Sequence, residues 1–209
     1  MDFSVQAKWD RASRTYGLLN WGEERRFAGA KQALFSKMKG NCLMVAAGTG
    51  ADFPFFPPGL AITALDISPG MIQQARARAA VYPGRLDLQV MDVQELSFPD
   101  ATFDTIATSC TFCSVPDPLR GLRQLYRCLK PGGQLLMFEH VRSRVGPIAL
   151  MQDVMTLVSR RFGPDMNRET VANVLRAGFE LQRETNVYMD VMKAIEARRP
   201  LNASTVSPV

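Results

Sequence analysis

The feature that most narrows the folds open to this chain is a rhythm that starts at Cys42, where short apolar runs begin to alternate with stretches of helical spacing. The runs fall at 42–46, 61–65, 86–90, 105–108, 134–139, 179–184 and 191–197. The earlier runs lack the in-and-out alternation of a strand wetted on one face, so they suit parallel strands covered on both sides by helices. Between them, 70–80 and 117–130 read as helices, with Pro69 in a first helical turn, where a missing N–H costs nothing. A Met-rich helix is expected over about 148–161 and another after Asn167. The expected fold class is therefore α/β, a three-layer sandwich.

Residues 5–38 read as two helices broken near 20–22, the second carrying Phe27, Ala30, Leu34 and Met38 at helical spacing. They are expected to form an N-terminal helical cap (1–40) belonging to the same domain as the body (41–200), with 201–209 a flexible tail. A chain of 209 residues suits one such domain. No apolar run reaches the roughly 20 residues that span a bilayer, and the first residues, Met-Asp-Phe-Ser-Val, lack a signal peptide's basic start, so a cytoplasmic protein is expected. Cys110 and Cys113 have C-x-x-C spacing, but with no second pair and one histidine in the chain, reduced thiols and no metal are expected. The net charge of +5 is carried in arginine pairs (25/26, 142/144, 160/161, 198/199) rather than dense tracts. That argues against a nucleic-acid partner and leaves a solvated surface or peripheral contact with an anionic membrane.

Chemistry concentrates at the ends of the expected strands. Ala46-Ala47-Gly48-Thr49-Gly50 is a glycine turn between a strand and a helix, where backbone can approach a ligand closely. The second strand ends in Asp66, placed to accept hydrogen bonds from ribose hydroxyls, and the third is followed by Asp92, placed to meet an exocyclic adenine amine. Capping of a following helix is the plain structural alternative for each aspartate. An NAD-dependent oxidoreductase shares the glycine turn and the ribose acid, but the full Gly-x-Gly-x-x-Gly and a Tyr-x-x-x-Lys pair are absent.

Taken with Phe98-Pro99-Asp100-Ala101-Thr102-Phe103-Asp104 before the fourth strand and Leu129-Lys130-Pro131-Gly132-Gly133 before the fifth, these spacings resemble the class I methyltransferases over 42–140. The resemblance is strongest to the UbiE-type quinone and bacterial phospholipid N-methyltransferases. It extends to the thiol methyltransferases of the methyltransferase-like 7 group through Gly50-Ala51-Asp52-Phe53, Phe56-Pro57-Pro58-Gly59, Cys113-Ser114-Val115 and Glu139-His140-Val141. It implies a Rossmann-like, mostly parallel seven-stranded sheet with a C-terminal antiparallel strand. The implied cofactor is S-adenosylmethionine, with S-adenosylhomocysteine as product. Carried onto this sequence, Ala46, Gly48, Thr49 and Gly50 would lie along the cofactor's methionine portion and Asp66 would hold its ribose. Ile67, Met71, Asp92 and Val93 would enclose the adenine. Ser109 and Cys110 would line the path to the sulfonium, with Tyr16 of the cap closing over it. Two positions depart from the family pattern: Met44 stands where an acidic residue is usual, and Ala46 where glycine is usual. A thioether cannot replace a carboxylate as acceptor for the cofactor's ammonium group, so a binder with little turnover remains an alternative.

The acceptor is expected to be a small or lipophilic molecule, a phospholipid amine, a quinone or a thiol. The sole histidine, His140, stands where the fifth strand should end and is the candidate base or substrate orienter, with a scaffold histidine as the alternative. Phe112, Cys113 and the helix bearing Met151, Gln152 and Met155 are the candidate acceptor contacts, methionines being adaptable to irregular ligands; plain core packing is the alternative reading of that helix. A nucleic-acid methyltransferase is disfavoured, because Ser109-Cys110-Thr111-Phe112 stands where an Asp/Asn-Pro-Pro-Tyr/Phe tetrapeptide would be needed. Oligomeric state has no signature in the sequence.

Overall fold

The computed structural model describes residues 1–19, 26–159 and 164–201, the side chains of 16–19 and 158 excepted. Seven strands form one sheet: β1 (Cys42–Val45), β2 (Ala61–Asp66), β3 (Arg85–Val90), β4 (Phe103–Ser109), β5 (Leu129–His140), β6 (Glu180–Tyr188) and β7 (Met192–Arg198). Their spatial order is β3-β2-β1-β4-β5-β7-β6. The first five strands pair in parallel, and β7 runs antiparallel to both β5 and β6. The chain winds outward from β1 to β3, then returns to place β4 on the other side of β1. In such sheets the crevice at this switch point, past the carboxyl ends of the strands, is where ligands bind.

Alternate residues of each central strand feed opposite faces of the sheet. From β1, Leu43 and Val45 join Leu65, Ile106, Leu135 and Met137 in one core, while Cys42 and Met44 join Ile62, Ala64, Ala107, Leu136 and Phe138 in the other. The first core is closed by α4 (Pro118–Cys128) and α6 (Thr170–Arg176) through Leu122, Leu125 and Val174. The second is closed by α2 (Ala28–Phe35), a 3-10 turn at Phe53–Phe55 and α3 (Pro69–Ala79), through Leu34, Phe35, Phe53 and Ala75. Helix α1 (Phe3–Leu19) lies on α3, and α5 (Gly146–Ser159) follows β5. Pro69 opens α3 and Ser68 caps it, its hydroxyl accepting the Met71 N–H at 3.1 Å.

The Lys-Pro-Gly-Gly run at 130–133 departs from the sequence reading, which ended a helix at Lys130 and began the strand at Gln134. Helix α4 stops at Cys128, and Leu129 is already paired with Phe103. The next pair is Thr105 with Gln134, so 130–133 bulge out of a continuous β5. The turn chemistry operates inside the strand: Gly132 adopts φ +74°, its N–H donates to the Arg199 carbonyl, and the Arg199 N–H returns to Gly133. Helix α5 begins two residues before its expected start, and its expected last residues, like the helix break near 20–22, the tail from Asn202, and Arg25, Arg160 and Arg161, lie outside the described residues. Among the described residues no helix is long and apolar enough to cross a membrane.

Leu122 is fully buried between α4 and the sheet. Leu122→Ala is expected to lower unfolding free energy by about 2–5 kcal/mol, measured by urea denaturation.

Candidate active site

The crevice is built from the turns that leave β1, β2 and β4. After β1 the backbone enters the left-handed region at Ala46 (φ +54°), a conformation that costs an alanine about 1–2 kcal/mol and that glycine adopts freely. The strain is held by hydrogen bonds from the Ala47 N–H to the Leu65 carbonyl and from the Gly48 N–H to Asp66 Oδ2, both 2.9 Å. A Cβ built at Gly48 meets no protein atom, because it would stand in the cavity itself. Gly50 serves packing instead, since a Cβ there would press on the Phe53 ring at 2.7 Å. The Thr49 hydroxyl and carbonyl both accept from Arg78 Nη1, at 2.7 and 3.0 Å.

Asp66 is buried and takes a second N–H, from Ser68, at 2.9 Å. Burial pushes its carboxyl above the ordinary value, opposed by these backbone donors. It caps no helix, because Ser68 performs that role. Asp92 accepts from the Asp2 N–H at 3.0 Å and the Gln94 N–H at 2.9 Å, and no helix starts between it and β4. Asp66 and Asp92 line one cavity together with Ile67, Met71 and Val93, a slot whose apolar walls and two acceptors suit a purine nucleoside. Helix α1 roofs it with Val5 and Trp9, fastened by Asp10 Oδ1 accepting from the Gly70 N–H at 2.7 Å and the Ser68 hydroxyl at 3.0 Å.

A second cavity of about 310 Å³ opens beyond it, lined by Phe27, Phe138, Met166 and Met192 with Cys113 and His140. The two cavities share Trp9, Ala46, Gly48, Ser109, Cys110 and Ser114 as walls. Burial raises the Cys110 thiol and pushes Cys113 up to about 12, so neither is a thiolate near neutrality. Burial lowers His140 below its ordinary value, opposed by the Met166 backbone, so the ring is neutral at pH 7. Its Nδ1 is buried without a hydrogen-bond partner.

Among the expected site residues, Ala46, Gly48, Asp66, Ile67, Met71, Asp92, Val93, Ser109 and Cys110 gather on the first cavity, while Thr49, Cys113 and His140 gather on the second. Phe112 lies in the core against Gly121 rather than in either cavity. Met151 and Met155, expected as acceptor contacts, are exposed on the outer face of α5 and line neither cavity. Gln152, on the inner face, is buried and spent on backbone, donating to the Val141 and Met166 carbonyls at 2.9 and 2.8 Å and accepting the Ser143 N–H at 2.7 Å. Tyr16 belongs to α1, and its side chain lies outside the described residues.

Glu139 carries a role that sequence reasoning did not assign. Fully buried on β5, it accepts from the Thr108 hydroxyl at 2.7 Å and from the Thr111 and Phe112 N–H groups at 3.0 and 3.1 Å. It thereby holds the turn after β4, where Cys110 adopts φ +49°. The available signal was a carboxylate interrupting the apolar run at 134–139. Burial pushes Glu139 up to about 7 against these three donors.

Residues 43–137 match the family model of a methyltransferase domain. A phosphatidylethanolamine N-methyltransferase of Cereibacter sphaeroides is 28% identical over 159 residues, 75% of this chain and 76% of the relative. The human thiol S-methyltransferase TMT1B is 32% identical over 177 residues, 77% of this chain and 72% of the relative. A solved S-adenosylmethionine-dependent methyltransferase from Thermotoga maritima shares the fold, with a TM-score of 0.66 at 20% identity over 93% of this chain and 99% of that one.

Two outcomes follow from the buried carboxylates. A raised folded-state pKa means that the folded chain holds its proton to higher pH than the unfolded one. The stability from Glu139 is therefore present below its ordinary value of 4.5 and is lost as pH rises through about 7. Thermal unfolding of Glu139→Gln across pH 4–8 should lack that decline. Asp66→Ala should weaken S-adenosylmethionine binding roughly tenfold or more by titration calorimetry, since it removes a carboxylate that lines the first cavity and frees the Gly48 turn.

Proposed function

The chain belongs to the S-adenosylmethionine-dependent methyltransferases, and from that premise we propose that it methylates a small or lipophilic acceptor, a phospholipid amine, a quinone or a thiol, held in the second cavity. The observation that carries this reading is the wall shared by the two cavities, because it lets a methyl group presented from one meet a nucleophile in the other. The acceptor range draws on the relatives, one named for a phospholipid amine and one for thiols.

The residues fit the cofactor: Gly48 leaves its Cβ volume empty, Asp66 offers carboxylate oxygens to ribose hydroxyls, and the slot walls are apolar. When bound, the cofactor supplies an electrophilic methyl group on a sulfonium. The protein's part is alignment and exclusion of water, which can lower the barrier by several kcal/mol. Trp9 and the turn at Ser109 and Cys110 frame the passage between the cavities. His140, neutral at pH 7 and on the wall of the second cavity, would take up the proton that a protonated acceptor has to give up. Asp66 and Asp92 stay with the nucleoside throughout.

The outer face of helix α5 supports contact with a lipid surface. Among the helix's described side chains Ala149, Gln152 and Thr156 are buried, whereas Leu150, Met151, Val154, Met155 and Leu157 face outward. That reversal of the usual pattern presents an apolar stripe to the surroundings. Its single charge, Asp153, is paired with Arg142 at 2.9 Å.

Release of S-adenosylhomocysteine is the decisive assay, run with phosphatidylethanolamine vesicles, a quinol and small aliphatic thiols. Release with none of them would favour the second reading, a cofactor binder with little turnover, for which Met44 and the strained Ala46 speak. With an accepted substrate, His140→Ala should reduce kcat by about 10²-fold or more while leaving the dissociation constant for S-adenosylmethionine unchanged. Loss of cofactor binding would make His140 scaffold.

A further inference from the structure

Helix α2 buries Phe27 at its N-terminal boundary, then Leu34 and Phe35, with Met38 just beyond its end, yet Lys31 sits on the same buried face with only 9% exposure. A lysine is rarely buried unless its charge is answered. Asp52 answers it, with Oδ1 2.7 Å from the Lys31 ammonium and each side chain 11% exposed, and the ion pair is one of the lysine's contacts. The ammonium also stands 5.3 Å from the centre of the Phe138 ring. Desolvation of two such charges offsets most of their mutual attraction, so the pair is poorly explained as a stabilising element. Nor is Asp52 a helix cap, because its side chain makes no capping bond to the 3-10 turn that follows it. Both residues line the second cavity, beside Gly48, Thr49 and Ala51, so a cofactor whose nucleoside fills the first cavity would extend its amino-acid end past the shared wall into the second and share it with the acceptor.

The methionine end of S-adenosylmethionine is an α-amino acid, an ammonium and a carboxylate one carbon apart. Binding it out of water requires an anion and a cation close together. The first strand provides no anion, since Met44 is fully buried in the core and lines neither cavity. We propose that Lys31 and Asp52 clamp the amino-acid end of S-adenosylmethionine, Lys31 facing its carboxylate and Asp52 its ammonium group, in place of the carboxylate that the first strand lacks. This rests on the cofactor reading above and adds to it a cofactor contact from α2, an element outside the residues matched by the family model. It also explains why the glycine turn continues directly into an aspartate: Asp52 follows Gly50 by two residues and so reaches the cavity just past the close backbone approach.

The test compares two ligands by titration calorimetry, S-adenosylhomocysteine and 5′-methylthioadenosine, which share the nucleoside and the thioether but differ in the amino-acid end. Lys31→Met and Asp52→Asn should each weaken S-adenosylhomocysteine at least tenfold and leave methylthioadenosine within twofold, since only the first ligand loses a charge-assisted contact. Either single change unbalances a buried ion pair, so the double variant Lys31→Met with Asp52→Leu is the control for folding. It should melt within a few degrees of the parent and still show the selective loss. A double variant that binds S-adenosylhomocysteine as the parent does overturns the clamp, and so does an equal loss for both ligands. A parent chain that binds neither ligand overturns the cofactor reading and the clamp together.

Discussion

Asp66 takes one backbone N–H from the turn after β1 and another from the turn after β2, so a single carboxylate sets how far apart those two turns stand. The opening of the crevice depends on that spacing. Gly48 is drawn toward the end of β2, which pulls Ala46 into a left-handed conformation and leaves the space over Gly48 empty for a ligand. Ser68, steadied by the same carboxylate, caps α3 and with Gly70 receives Asp10 from the roof. First cavity, helix start and roof are thus tied to one side chain.

Glu139 repeats the device on the other side of the switch point. It gathers a hydroxyl and two N–H groups from the turn after β4, holding Cys110 in another left-handed conformation at the wall between the cavities. Both carboxylates are pushed up by burial, and both are answered chiefly by backbone donors rather than by cations. Backbone N–H groups on adjoining turns have fixed directions, so they position a loop more narrowly than a flexible lysine would. The Lys31–Asp52 pair is of the other kind, two opposite charges from separate segments meeting at a cavity wall.

The helices around the crevice divide along similar lines. Helix α2 is apolar inward except at Lys31, α1 is fastened by polar bonds from Gln6 and Asp10, and α5 turns its apolar residues outward. Gln152 and Thr156 secure α5 to the wall segment at Met166, so its inner face is spent on hydrogen bonds and its hydrophobic residues are left exposed on the outer face.

Much of this was legible in the sequence, for identifiable reasons. Parallel strands buried on both faces must be apolar throughout, so the α/β sheet and its strands could be read from local runs, and Asp66 and Asp92 stood out because each follows such a run. The identity of the cavity-lining turn residues was equally local, because strand ends in this topology share one edge. What the sequence could not settle are contacts between segments far apart in the chain. The bulge at 130–133 is turn chemistry whose place depends on Phe103 and Arg199 across the sheet. Met151 and Met155 have the composition of pocket residues, and only the rotation of α5, set by Gln152, turns them outward. Lys31, Asp52 and Glu139 are ordinary charges in isolation. Their significance comes from burial and from partners in other segments, which local pattern does not encode and only the packed chain decides.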